Sequence, residues 1–259
     1  MNSKSYLSAI ILTKNVEQNI LDCLESVEWV DELIILDDYS QDRTLDVVNT
    51  LPFKGKIKIY QKKLEGDFAQ QRNYALSKVT TDWVLFIDAD ERVSKELREE
   101  INTILIEEKN NSRNNGFYIQ RKDFMWGKLL KHGELSNISL LRLARLGSGE
   151  WIERVHETWQ IKGKTSTLDN YLFHFPHPKV NKFLNEINYY STLRSKELFD
   201  KKIKSSALEI IYYPLAKFVL NYFLKLGFLD GIEGLIFATM MSFHSFLVRS
   251  KLWLLWQKK

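Results

Sequence analysis

Trp83-Val84-Leu85-Phe86-Ile87-Asp88-Ala89-Asp90 is an apolar run that ends in two carboxylates at i and i+2. A continuous run of this length reads as a strand buried on both faces of a parallel sheet. The acids then sit at the strand's carboxyl end, where open α/β sheets bind their ligands. Residues i and i+2 of an extended strand point the same way, so both carboxylates can face one hard divalent cation such as Mg²⁺ or Mn²⁺. The competing reading is a turn capped by two acids ahead of a helix that starts near Ser94.

The residues upstream weigh between the two. Ser8–Thr13 is a first apolar strand, followed by Lys14-Asn15 and a helix-like stretch over Val16–Val27. Leu33–Leu36 is a second strand, ending in Asp37-Asp38-Tyr39-Ser40-Gln41-Asp42-Arg43-Thr44, with a helix expected over Asp42–Leu51 and Ser40 or Asp42 as its N-cap. Ile57–Tyr60 is a third, followed by a helix over Phe68–Lys78 that carries Gln70-Gln71-Arg72-Asn73. Strands alternating with helices imply βαβ units and a parallel sheet. Right-handed crossovers bring the carboxyl ends to one edge, so Asp37, Asp38, Arg72, Asn73, Asp88 and Asp90 are expected around one crevice.

In this order, Leu12-Thr13-Lys14-Asn15, Asp37 to Thr44, Ala69-Gln70-Gln71-Arg72-Asn73 and Asp88-Ala89-Asp90-Glu91 resemble the motifs of family 2 glycosyltransferases with the GT-A fold. The resemblance covers about the first 175 residues and is greatest to bacterial enzymes that add a sugar, often glucose, to lipopolysaccharide or lipooligosaccharide core. It implies an α/β, GT-A type, mostly parallel sheet flanked by helices. It also implies an inverting, metal-dependent transfer of a hexose from a UDP-sugar to a hydroxyl of a lipopolysaccharide-core or other glycolipid acceptor.

Residue by residue, the resemblance places the uracil and ribose on Asp37 and Asp38, lined by the backbone near Thr13, and the diphosphate near Arg72 and Asn73. Asp90 is implied as a direct metal ligand, with Asp88 on the ribose or the metal, and His174 as a further metal or diphosphate ligand. The cofactor it implies is Mn²⁺ or Mg²⁺. An inverting reaction also needs a carboxylate to take the acceptor's proton. Glu157, in Val155-His156-Glu157, is the candidate base, and Glu134, in Lys131-His132-Gly133-Glu134, is the alternative. His156 would orient the base, contact a phosphate or simply pack, and His177, between two prolines, reads as structural.

Other chemistries lack their residues. Gly163-Lys164-Thr165 has Thr158 where a phosphate loop needs glycine. No Gly-x-Gly-x-x-Gly follows the first strand, and the single Cys23 allows neither a zinc array nor an intrachain disulfide. The rival functions are a sugar nucleotidyltransferase, whose usual glycine-rich first loop Thr13-Lys14-Asn15 does not provide, and a non-catalytic, membrane-associated glycan-binding protein on a degenerate GT-A fold. A net charge of +4 over 259 residues is too small to argue for nucleic acid.

Two parts are expected: a catalytic domain over 1–178 and a helical tail over 179–259. Lys179–Lys204 is charged and helix-compatible, Ile210–Leu226 and Ile232–Leu247 are mostly apolar, and Gly227 separates them. Neither apolar stretch is a clean span of ~20 uncharged residues, so the sequence predicts a hairpin at a membrane interface or a helical core. Trp253 and Trp256 among Lys251, Lys258 and Lys259 suit an interface. The polar stretch Glu107–Asn115 reads as a loop. The N-terminus runs straight into the first strand and predicts no signal peptide. The expected location is cytoplasmic, peripheral on the inner face of the bacterial cytoplasmic membrane.

Overall fold

Buried strands arise where the apolar runs predict them. In the computed structural model, which describes residues 6–110, 113–154, 157–176 and 179–257, the order opens with β1 (Leu7–Thr13), α1 (Ile20–Ser26), β2 (Glu32–Asp37) and α2 (Thr44–Thr50). β3 (Lys56–Gln61), α3 (Phe68–Leu76), β4 (Trp83–Asp88), β5 (Glu91–Val93) and α4 (Lys95–Asn110) follow. Then come β6 (Gly116–Met125), β7 (Lys128–Leu130), β8 (Ile138–Arg145), β9 (Gly149–Ile152), β10 (Thr158–Ile161) and β11 (Thr165–His174). The chain closes with α5 (Val180–Asp200), α6 (Ala207–Val219) and α7 (Gly231–Gln257). His156 and His177 lie outside the described residues.

The chain divides into two compact units. The first comprises Met1–Arg121 and Ser139–His174, the second Lys122–Ile138 and Phe175–Lys259. The second unit therefore takes in 122–138 as well as the tail expected from 179.

In the first unit the sheet runs β3-β2-β1-β4-β8-β6-β11-β5. β3, β2, β1 and β4 are parallel, in a register that sets Thr13 beside Asp37 and Asp37 beside Gln61. β8 pairs antiparallel to β4, so the sheet is mixed, with its parallel half at the N-terminal side.

Alternate residues of the buried strands pack on opposite faces. Ala9, Ile11, Leu33, Ile35, Leu85 and Ile87 meet Cys23 and Leu24 of α1 and Leu97 and Ile101 of α4. Ile10, Ile34, Leu36, Val84 and Phe86 meet Ala69 and Ala75 of α3, with Trp151 and Trp159. Helices thus cover both faces of β1, β2 and β4, which is why these strands read as unbroken apolar runs.

The first part of the expected loop Glu107–Asn115 proves to be helix. α4 continues to Asn110, because Glu107, Glu108 and Lys109 are good helix formers. Glu108 then turns back its buried carboxylate to accept the N–H groups of Arg113 (2.8 Å) and Asn114 (3.1 Å).

The second unit is helical. Phe183, Ile187, Phe237 and Met240 form its core with Met125 and Leu130. α7 runs well past Leu247, because the Lys251 ammonium donates to Asn188 and Thr192 of α5 at 2.7 and 2.8 Å instead of ending the helix. Gly227–Gln257 is consequently a 31-residue helical stretch containing an 18-residue window of mean hydropathy 1.4, by length and composition enough to cross a membrane, where the sequence predicted no such span.

Candidate active site

The loops that leave β1 and β2 are stitched together. Asn15 N–H donates to Ser40 Oγ (2.9 Å), Gln41 N–H to Asn15 Oδ1 (2.7 Å) and Val16 N–H to Thr44 Oγ1 (2.8 Å). Asp37 organises this corner and is fully buried. Its Oδ1 accepts from Thr13 Oγ1 (3.0 Å) and Ser40 Oγ (2.5 Å), and its Oδ2 from Ser40 N–H (2.9 Å) and Gln61 Nε2 (3.3 Å). Asp38 is a fifth exposed at its side chain, accepts Leu64 N–H on Oδ1 (3.2 Å) and has Lys14 Nζ at 3.5 Å. Of the two acids expected to hold a nucleoside, Asp37 shapes the turn and Asp38 is the accessible one.

At the end of β4 the two acids separate by role. Asp88 Oδ1 accepts from Arg72 Nη2 (2.9 Å) and Oδ2 from Arg142 Nη2 (2.5 Å). Arg142 Nη2 also donates to the buried Glu91 Oε1 (2.9 Å), and Glu91 Oε2 accepts the Asp88 N–H (3.0 Å). Desolvation acts to raise the Asp88 carboxyl, but the guanidinium charges of Arg142 and Arg72 prevail and hold it well below the usual carboxylate range. Burial prevails at Glu91 and pushes its carboxyl up.

Asp90 lies in the turn between β4 and β5. β11 runs antiparallel to β5 with His174 opposite Glu91. That register brings His174 Nε2 to 3.5 Å from Asp90 Oδ2, with the Asp90 side chain 30% exposed. Asp90 and His174 are therefore brought together as the sequence predicts, whereas both Asp88 oxygens face arginines. Among the described residues no three His, Cys, Asp or Glu side chains gather closely enough to hold a metal by themselves. A carboxylate oxygen and an imidazole nitrogen fit Mn²⁺ or Mg²⁺ when a diphosphate and water complete the shell, which is how Mg²⁺ is usually held.

Arg72, expected near the diphosphate, is held between two carboxylates. It is 5% exposed, its Nε donates to Glu157 Oε1 (2.9 Å), and its guanidinium stacks 4.6 Å over the Trp151 ring. With Nη2 on Asp88, the side chain bridges two carboxylates, and its Nη1 has no hydrogen-bond partner among the described residues. Asn73, also expected at the nucleotide, instead clamps β9. Its Nδ2 donates to Trp151 O (2.8 Å) and its Oδ1 accepts Trp151 N–H (2.9 Å). Phe68 N–H donates to Arg154 O (3.1 Å), so α3 also holds the backbone just past β9. Glu134 belongs to the second unit, where its carboxylate pairs with Lys217.

Arg142 and Glu91 are the site residues the sequence reading passes over. Leu140-Leu141-Arg142-Leu143-Ala144 carries the signal for Arg142, because a guanidinium inside so apolar a strand must meet carboxylates. Only pairing across the sheet reveals which ones.

A mixed sheet with a parallel N-terminal half and acids gathered at its strand ends is the architecture of the GT-A class of glycosyltransferases. Residues 8–143 match the model of Glycosyl transferase family 2, and the chain belongs to that family; it is a glycosyltransferase. It is 28% identical over 257 residues to an uncharacterized glycosyltransferase of Rickettsia typhi, covering 95% of this chain and 86% of that one. It is also 28% identical over 257 residues to the lipopolysaccharide core biosynthesis glycosyltransferase LpsC of Rhizobium meliloti, covering 98% of this chain and 94% of the relative. In fold it is similar to S. aureus TarS 1–349 in complex with UDP, with a TM-score of 0.50, 16% identity, and 98% and 92% of the two chains covered. The same values hold for the complex of that protein with UDP-GlcNAc.

Proposed function

We propose that the chain transfers a hexose, glucose favoured, from a UDP-sugar to a hydroxyl of a lipopolysaccharide-core or other glycolipid acceptor, with inversion. The observation that carries this reading is Arg72, whose Nε holds Glu157 and whose Nη2 holds Asp88 of the strand-end acid pair, both at 2.9 Å. A buried guanidinium shared in this way fixes a candidate base relative to the donor crevice. The LpsC likeness supports a core-type acceptor, and TarS, captured with UDP and with UDP-GlcNAc, is consistent with a uridine donor.

On this reading Asp38 contacts the nucleoside while Asp37 keeps its loop in shape. Asp90 and His174 would hold Mn²⁺ or Mg²⁺, which offsets the charge on the departing diphosphate when bound. Glu157 accepts the proton of the acceptor hydroxyl as that oxygen attacks the anomeric carbon, the bond to the UDP oxygen breaks, and an α-linked donor gives a β-linked product. A lipid-borne acceptor would set this reaction at the cytoplasmic face of the bacterial inner membrane.

The first test is calorimetric titration of UDP with and without Mn²⁺, on wild type and Asp90→Asn. Metal-dependent binding that the variant loses supports the donor site, and no binding in the wild type sinks it. Glu157→Gln tests the base. Turnover retained within about tenfold, ~1.4 kcal/mol in the barrier, would remove Glu157 from that role.

A further inference from the structure

The second unit leaves a long apolar surface uncovered. α6 has no buried residue, and its Leu208, Ile211 and Leu215 lie on one face by helical spacing. Leu208, Ile211, Leu215, Leu224 and Ile232 are each more than 60% exposed, and Leu229 follows at 56%. Across 207–235, Lys225 is the only charged residue among the exposed ones. A surface of this size and uniformity is uncommon on a chain that meets only water.

Its charge surroundings indicate what covers it. Residues 179–259 contain thirteen Lys and Arg against six Asp and Glu, so the chain's net charge of +4 arises wholly from the tail. The exposed Lys201, Lys202 and Lys204 lie just ahead of the α6 capping box formed by Ser206 and Glu209. A second copy would bring the same positive charges against each other, whereas an anionic lipid surface neutralises them. The helices also fit an arrangement in the plane of the membrane. α6 and the π-helical turn Leu220–Leu224 that continues it carry Glu209 and Lys217 and fall short of the ~20 uncharged residues a span needs. Three polar groups of α7 are engaged within the unit: Ser242 Oγ donates to Pro214 O of α6 (2.8 Å), Arg249 stacks on Tyr213 (3.8 Å) and Lys251 bonds to α5.

We propose that the exposed apolar face of α6 and of the turn that follows it is a docking surface for an anionic bilayer, seated in the interface plane with the lysines of 201–204 among the headgroups. The docking goes beyond the transfer reaction and does not depend on the sugar or the acceptor.

The test is flotation of the full chain with phosphatidylcholine vesicles containing about one-third phosphatidylglycerol and with phosphatidylcholine alone, beside the double variant Ile211→Glu, Leu215→Glu. Both changes fall on exposed side chains, and circular dichroism checks that the helices persist. The wild type is expected to float with the anionic vesicles, at least about tenfold less with neutral ones, and the variant is expected to stay behind. A wild type that does not float, or a variant that floats equally, overturns the proposal. So does resistance to alkaline carbonate extraction, which would make Gly227–Gln257 a span. A wild-type dimer that the variant dissociates, with no vesicle binding, would show that a second copy covers the face. UDP binding measured on the same samples separates a failed docking surface from a failed donor site.

Discussion

Replacing Arg72 by methionine isolates the link between Glu157 and the strand-end acids. Methionine keeps the apolar stem against Phe86 and Trp151 but removes the fork that reaches Glu157 Oε1 and Asp88 Oδ1, each at 2.9 Å. Asp88 keeps Arg142 on its other oxygen, so the strand end stays neutralised, whereas Glu157 loses the guanidinium that orients it. Removing one partner of a buried ion pair costs about 3–5 kcal/mol of stability. For a chain of this size, at roughly 2–4 °C per kcal/mol, the melting temperature should fall by about 10 °C. Misplacing a catalytic group by an ångström costs about a hundredfold in rate, ~2.7 kcal/mol, so turnover at saturating donor should fall by that much. UDP affinity, read by calorimetry below the melting transition, should stay within about threefold. In a double-mutant cycle, Arg72→Met with Glu157→Gln should be no slower than Glu157→Gln alone, because both changes disable one unit. Turnover within tenfold of wild type, or additive losses in the cycle, would refute the positioning role. A collapse in UDP affinity with turnover intact at saturation would return Arg72 to the diphosphate.

Three further outcomes test other links. His174→Ala, like Asp90→Asn, should remove the Mn²⁺ dependence of UDP binding, and UDP binding that keeps its full response to Mn²⁺ in both variants would remove the pair from the metal site. Glu32, buried at the start of β2, accepts from Ser8 Oγ (2.6 Å), Thr80 N–H (3.1 Å), Thr80 Oγ1 (2.8 Å) and Lys58 Nζ (2.5 Å). Desolvation there is outweighed by the Lys58, Ser8 and Thr80 hydrogen bonds, and the carboxyl is lowered from its ordinary 4.5. Its contribution is therefore complete above 4.5 and lost as pH falls below it, so the melting-temperature gap between wild type and Glu32→Gln should be wide at neutral pH and close in acid. Phe86, fully buried with its ring 5.0 Å from both Trp151 and Trp159, should cost about 3–5 kcal/mol as alanine by chemical denaturation, and a loss under ~1 kcal/mol would mean that the cluster repacks.

The apolar runs of β1, β2 and β4, the helices between them and the acids at their ends are legible in the sequence because hydrophobic periodicity and strand direction are local properties. From these alone follow the parallel half-sheet and the crevice where Asp38 and Asp90 are accessible. What the sequence could not supply is which acids are neutralised inside the fold. Asp88 and Asp90 are indistinguishable in an i, i+2 pattern, and nothing local to Arg72 on α3 says which carboxylates it meets. Tertiary structure separates them by bringing Arg72 across 16 residues and Arg142 across 54 to Asp88, and Glu157 across 85 to Arg72. The exposed face of α6 has the same origin, since an apolar helix is equally a core helix or a surface one until its neighbours are in place. Burial and charge pairing are properties of the assembled sheet and helices, and no local pattern encodes them.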